Sequence, residues 1–203
     1  MGQLREIVSG ILTWPWFSEP HGYDFNGYLV RDPHGNVCID PVAPGDDGLE
    51  TLAREGVATI ALTNRNHVRA ADAVRGRTGA RVVIHRADAA YARSQGAAID
   101  GDLAPGERVG PLVVLGVPGK SPGEVAFHWP ERRILIVGDA IIGNPPGACG
   151  FLREKVMDDP PRLRASVREL LALDFDVLLV GDGTSILSGA KERVAALCAS
   201  VPS

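Results

Sequence analysis

The sequence predicts an α/β sandwich: two mixed sheets packed face to face, with helices on the two outer faces. Three observations carry that prediction. In the first half, short apolar runs alternate with stretches of helical spacing. In the second half, β-rich runs follow one another across short turns, and the clearest helical stretch there carries a single apolar stripe, the mark of an element laid on a sheet.

The elements follow in chain order. "NGYLVRD" and "NVCID" flank the turn-forming "PHG", a hairpin signature. "LETLAREG" places Leu49, Leu52 and Ala53 on one helical face and offers Gly56 as a stop. "VATIAL" reads as a buried strand, "HVRAADAVRGRTG" as a helix starting near His67 and ended by Gly79, "RVVIH" as a strand and "RADAAYARSQG" as a helix. "PLVVLGV", "GEVAFHW" and "RRILIVGD" are three strands parted by "PGKSPG" and "PERR", an antiparallel pattern. "AIIGNPPGACGF" is a Gly/Pro-rich loop of flap length. Leu163, Val167, Leu170 and Leu171 form the stripe of the next helix, "FDVLLVGDG" is a buried strand, and "GAKERVAALCAS" is the last helix.

Composition narrows the function classes. The 203 residues suit one domain able to bury roughly 70–75 % of its unfolded surface. A hydrophobic content of 45 % and a net charge of −4 of mixed sign describe a globule without a basic face for nucleic acid. The N-terminal "MGQLREIVSGILTWPWFSEP" is charged early and broken by Pro15, so it reads neither as a signal peptide nor as a membrane span, and a cytoplasmic protein is expected. Cys38, Cys149 and Cys198 are odd in number and lack a CxxC spacing, which points to reduced thiols. The aromatics of "TWPWF" are expected to tuck against the first strands.

Chemistry is expected where "VATIAL" hands over to a helix through the polar knot "TNRNHVR". Together with "GNVCIDPV", "VPGKSPGEVAFHWPERRILIVGDAI" and "VLLVGDGTSI", this segment resembles the metallo-β-lactamase superfamily of ester, thioester and amide hydrolases, hydroxyacylglutathione hydrolases among them, from about Gly27 to Cys198. The resemblance implies a single domain over residues 1–203 and a site at these loops. The knot sits where the family carries Thr-His-x-His-x-Asp-His, so its histidine positions fall on Asn64, Asn66 and Arg69 and its aspartate on Val68. The next histidine position is Lys120, the bridging aspartate is kept as Asp139, and the last histidine position is Asp182. His67 lies between motif positions, so its side chain is expected to point away from a ligand's direction, at the mouth of the pocket.

Charge decides what that substitution implies. Unit charges about 4 Å apart at an effective dielectric near 20 interact by roughly 4 kcal/mol, so a dication beside Lys120 meets repulsion on the order of 8 kcal/mol. A well-made structural zinc site is worth about 10–16 kcal/mol. The expectation is therefore no metal and no cofactor, with Arg69 and Lys120 paired to Asp139 and Asp182.

On this reading Asn64, Asn66, Arg69 and Lys120 bind a small, anionic ligand, and Asp139, Asp182 and His67 are the candidates for any remaining catalysis. The plainer readings are a structural ion-pair cluster for the four charged residues, helix capping for the asparagines and a surface role for His67. Glu124 is expected to be a solvated strand-end carboxylate, and His85, His128, His21 and His34 to be structural or loop residues. Three functions compete: a binding or sensing protein that kept a hydrolase scaffold, a metal-independent hydrolase, and a hydrolase with an atypical metal at Asp139 and Asp182. A homodimer is permitted by the open sheet edges.

Overall fold

The structure is a computed structural model that describes residues 3–201. β1 (Arg5–Val8), β2 (Ile11–Ser18), β3 (Tyr23–Val30) and β4 (Asn36–Ile39) form an antiparallel meander. The "PHG" turn sets Tyr28, Leu29 and Val30 opposite Ile39, Cys38 and Val37. The sheet then becomes parallel through β5 (Val57–Leu62), β6 (Arg81–Ile84) and β7 (Gly101–Asp102). Parallel neighbours need crossovers, which α1 (Gly45–Glu55), α2 (Ala71–Thr78) and α3 (Arg86–Ser94) supply.

The second sheet has β8 (Arg108–Val109), β9 (Leu112–Gly116), β10 (Val125–Trp129) and β11 (Ile134–Val137) in antiparallel order. β12 (Val177–Val180) adds in parallel to β11 after the crossover helix α4 (Pro160–Leu170), and α5 (Ala190–Ser200) closes the fold. Both sheets are thus mixed, as the sequence pattern requires. Among the described residues no helix is long and apolar enough to cross a membrane.

Period-two alternation explains the layers. Tyr28, Val30, Val37 and Ile39 face Phe127, Ile134 and Ile136 across the sandwich. Their chain neighbours Leu29 and Cys38 turn outward beneath α1 and α2, while Leu135 and Val137 turn outward beneath α4 and α5. Two helices end where the glycines predict: Gly56 at φ 79° and Gly79 at φ 73° lie in the region open to glycine.

Two local expectations change. "TWPWF" is part of β2 itself: Trp14 is fully buried and donates Nε1 to the Val42 carbonyl at 2.8 Å, whereas Trp16 and Phe17 are 41 % and 51 % exposed. α2 starts at Ala71 rather than near His67, because residues 64–70 form turns held by side chains of the site.

Phe127 fills the centre of the inter-sheet core with no exposure. Phe127→Ala is expected to cost about 3–5 kcal/mol of stability in a urea titration; a loss under about 1 kcal/mol would show that the two sheets do not depend on this core.

Candidate functional site

The carboxyl ends of β4, β5, β11 and β12 meet at one edge of the sandwich, the usual place for a site in parallel α/β sheets. Asp40 follows β4, residues 63–69 follow β5, Asp139 follows β11 and Asp182 follows β12. Cross-links fasten the two sheets there: Asn26 Nδ2 donates to the carbonyls of Val180 and Gly183, and the Tyr28 hydroxyl donates to Val180 at 2.7 Å.

Asp40 organises the polar knot. Its carboxylate accepts from the Thr63 backbone N–H at 2.8 Å, from the Thr63 hydroxyl at 2.5 Å and from His67 Nδ1 at 2.8 Å. The other ring nitrogen of His67, Nε2, lies 3.2 Å from Asp139 Oδ1. Lys120 Nζ takes the remaining Asp139 oxygen at 3.0 Å and donates to Asn66 Oδ1 at 2.9 Å. Arg69 Nη2 donates to Asp182 Oδ1 at 3.2 Å while the guanidinium lies 4.2 Å above the Phe25 ring. Asp40, Asp139, Asp182, His67 and Lys120 are all buried. His67, Lys120 and Arg69 therefore face an equal number of buried carboxylates.

The electrostatics follow from these contacts. Burial and the Arg69 guanidinium push the His67 pKa down, but the carboxylates of Asp40 and Asp139 outweigh both and raise it from 6.5 to about 10. Burial works to raise the Asp139 carboxyl, yet His67 and Lys120 hold it well below 3.8. Asp182 is raised from its ordinary value, first by burial and then by Asp139. Glu124 is buried, with both carboxylate oxygens lacking a protein partner; burial and then Asp139 raise it well above 4.5, which favours its uncharged form.

The structure brings Asn66, His67, Arg69, Lys120, Asp139 and Asp182 together. Three expectations are corrected. His67 is neither at the surface nor turned away: the turns before α2 carry its ring inward to full burial, and a ring protonated at neutral pH is a cation rather than a general base. Asn64 and Asn66 cap no helix; Asn64 Oδ1 accepts from the Asn66 backbone N–H at 2.8 Å in a tight turn, and the first residue before α2, Ala70, has no side-chain cap. Glu124 is buried beside the ion pairs instead of solvated.

Two carboxylates escaped the sequence reading. Asp40 has a usable signal, an acid directly after an apolar strand and before Pro41. Asp88 has none: inside α3, fully buried, it accepts from the Arg65 and Gly123 backbone N–H groups and from the Ser121 hydroxyl at 2.5 Å. Three of the remaining histidines make local bonds. His85 caps α3 by accepting from the Ala87 backbone N–H, His128 bonds the Asp174 carbonyl at 2.9 Å, and His21 bonds Ser18 at 2.7 Å. The three cysteines are free thiols, and burial raises Cys149 to about 11, far from a reactive thiolate.

The sequence pattern of the metallo-beta-lactamase superfamily matches residues 7–201. The chain belongs to that superfamily. It is 32 % identical to the hydroxyacylglutathione hydrolase of Fuscovulum blasticum over 75 % of its own length and 59 % of that protein's. It is 29 % identical to the hydroxyacylglutathione hydrolase of Cereibacter sphaeroides strain ATCC 17029 over 89 % of its length and 69 % of the relative's. The chain thus spans about six- to seven-tenths of the relatives it matches.

Solved superfamily members share the fold. A metallo-beta-lactamase from Pontibacter korlensis superposes with a TM-score of 0.80 at 17 % identity, covering 99 % of this chain and all of that one. Another from Erythrobacter litoralis gives 0.76 at 16 % identity, over 98 % of this chain and 96 % of that one.

The raised His67 pKa has a consequence for stability. Its contribution is complete below the unfolded value of 6.5 and is lost as pH rises through about 10. The thermal midpoint is expected to fall from about pH 7 upward, and His67→Gln to lower the neutral midpoint and flatten that decline, having removed one partner of a buried pair at a cost of about 3–5 kcal/mol. A wild-type midpoint that holds level up to about pH 10 would show that His67 is not an imidazolium.

Proposed function

We propose that this superfamily member binds a small anionic ligand beside Arg69, as a binding or sensing protein built on a hydrolase scaffold. The observation that carries the reading is a cavity of about 290 Å³ walled by Trp16, Phe25, Val42, Ala43, Arg69 and Ala70. Its wall is apolar apart from one guanidinium, the composition suited to a ligand with an apolar body and a negative head.

Arg69 has the donors for the task. A guanidinium carries five N–H bonds. Here one nitrogen serves Asp182 in a single 3.2 Å contact, and Nη1 is buried without a protein partner. Stacking on Phe25 fixes its plane without using those donors. The backbone at Arg69 has φ 21°, outside the range comfortable for a residue with a side chain, and such strain is kept where the surroundings over-determine it. The three unpaired thiols accord with a reducing, cytoplasmic setting.

A second reading, hydrolysis of an ester, thioester or amide, is favoured by the names of the relatives and by one geometric fact. His67, Asp139 and Asp182 each present a possible ligand atom within 4.8 Å of the others. In a metal-independent form Asp182, whose pKa is raised, is the carboxylate better placed to take a proton from water.

Thermal-shift titration with benzoate, acetate and phosphate separates the readings when paired with turnover of 4-nitrophenyl acetate and a simple thioester. Binding predicts a saturable rise in midpoint with benzoate, weakened about tenfold or more by Ala43→Trp, which fills the cavity from an exposed position. Saturable turnover that Asp182→Asn abolishes would replace the binding reading with the hydrolase.

A further inference from the structure

The superfamily resemblance implies two divalent cations at this edge of the sandwich, and the residues present do not suit them. Each residue of the His67, Asp139 and Asp182 trio already faces a counter-charge. His67 Nε2 and Lys120 Nζ occupy the two oxygens of Asp139 at 3.2 and 3.0 Å, and Arg69 holds Asp182 at 3.2 Å. Both nitrogens of His67 face carboxylates, which requires a hydrogen on each and leaves no lone pair for an ion. A divalent ion among these atoms would lie against an ammonium and an imidazolium.

We propose that Lys120 is the site's built-in cation: it fills the electrostatic place of a divalent ion, so the protein folds without metal, and its removal opens His67, Asp139 and Asp182 to such an ion. The position of the ammonium is constructed rather than incidental. Lys120 is 6 % exposed, and both of its side-chain partners, Asp139 and Asn66, belong to the site.

The loop that carries it is fastened on both sides. Toward α4, the Gly119 carbonyl accepts from the Asp159 backbone N–H at 2.8 Å and the Lys120 carbonyl from that of Asp158 at 3.3 Å. Gly119 lies so close to the helix that a Cβ there would stand 2.3 Å from the Leu163 nitrogen. Toward α3, Ser121 and Gly123 both bond Asp88. With its backbone pinned between two helices, Lys120 directs its ammonium at Asp139.

Lys120 is the decisive cation of the three. His67 is a potential ligand itself once a proton leaves, since neutral imidazole binds metals well. Arg69 is stacked on Phe25 at the outer side and touches Asp182 alone among the trio. The Lys120 ammonium donates to Asp139 and Asn66 and offers no lone pair, so it alone can only exclude an ion.

The test compares the wild-type protein, Lys120→Met, which keeps most of the apolar stem, and Lys120→Arg, which keeps the charge. Each is purified without chelator, its metal content measured by elemental analysis, and its thermal midpoint followed with EDTA and with Zn²⁺ or Mn²⁺. Wild type and Lys120→Arg are expected to carry under about 0.1 ion per chain and to ignore both additions. Lys120→Met is expected to melt lower and to regain stability saturably with one of the two metals, approaching one ion per chain. Adding Asp139→Asn to Lys120→Met should abolish the recovery.

Stoichiometric metal in the wild type, removed by EDTA with loss of stability, overturns the proposal. So does a folded Lys120→Met that ignores both metals. Should Lys120→Met not fold, Lys120→Gln takes its place in the same measurements, and the wild-type arm stands by itself.

Discussion

The contact on which the rest of the site depends is the Asp139 carboxylate clasped between Lys120 and His67. Each partner arrives from a different segment: Asp139 from the end of β11, Lys120 from the loop before β10, and His67 from the turns after β5. Through the other nitrogen of His67 the clasp reaches Asp40 at the end of β4. Both sheets are thus tied at one edge by charge. Burying these ions costs several kcal/mol each before any contact forms, so the cluster is not a simple gain in stability. Its effect is on arrangement, because any geometry that separates one member leaves a buried charge uncompensated.

Backbone shape permits this arrangement. Gly138 precedes Asp139 where a Cβ would come within 2.1 Å of the Thr63 hydroxyl, and Gly181 precedes Asp182 where one would stand 3.1 Å from His67 Cε1. The glycines of the two Gly-Asp steps therefore let strand ends of the second sheet approach the knot of the first. Val125 of β10 donates its backbone N–H to the Thr63 carbonyl at 2.8 Å across the same junction. Because these close approaches join the sheets, a change in the knot is felt on both sides of the sandwich.

Most of the fold is legible in the sequence because its signals are repeated. The β-rich runs "NGYLV" and "RRILIV", the stripe from Leu163 to Leu170 and the stops at Gly56 and Gly79 each report burial or backbone shape directly. The site is less legible. A delay of four residues in the start of α2 turns His67 from a surface histidine into the centre of the network, and propensity does not register such a delay, since the bonds that cause it come from Asp40 across the sheet. Glu124 and Asp88 look like ordinary polar residues because the burial of a carboxylate depends on neighbours distant in sequence. The resemblance located Asp139 and Asp182 because those positions follow directly on strand ends, and Lys120 because its loop keeps the Pro-Gly spacing of "PGKSPG".

The scaffold places carboxylates at the buried ends of parallel strands, where the sum of charge must be brought near zero by something. Bound metal ions meet that requirement in one way; an ammonium, a guanidinium and an imidazolium meet it in another, with each cation covalently attached and therefore present at fixed stoichiometry. Both solutions satisfy the same backbone, so a TM-score of 0.80 to a metallo-beta-lactamase carries no information about which one this chain uses. The difference lies in what a ligand meets. A metal ion offers open coordination positions to an incoming group, whereas Lys120 is enclosed by Asp139 and Asn66 and leaves Arg69 as the cation at the cavity wall. On the binding reading proposed above, a guanidinium selects for a planar, negatively charged group, so that proposal rests on the position of Arg69 more than on the fold around it.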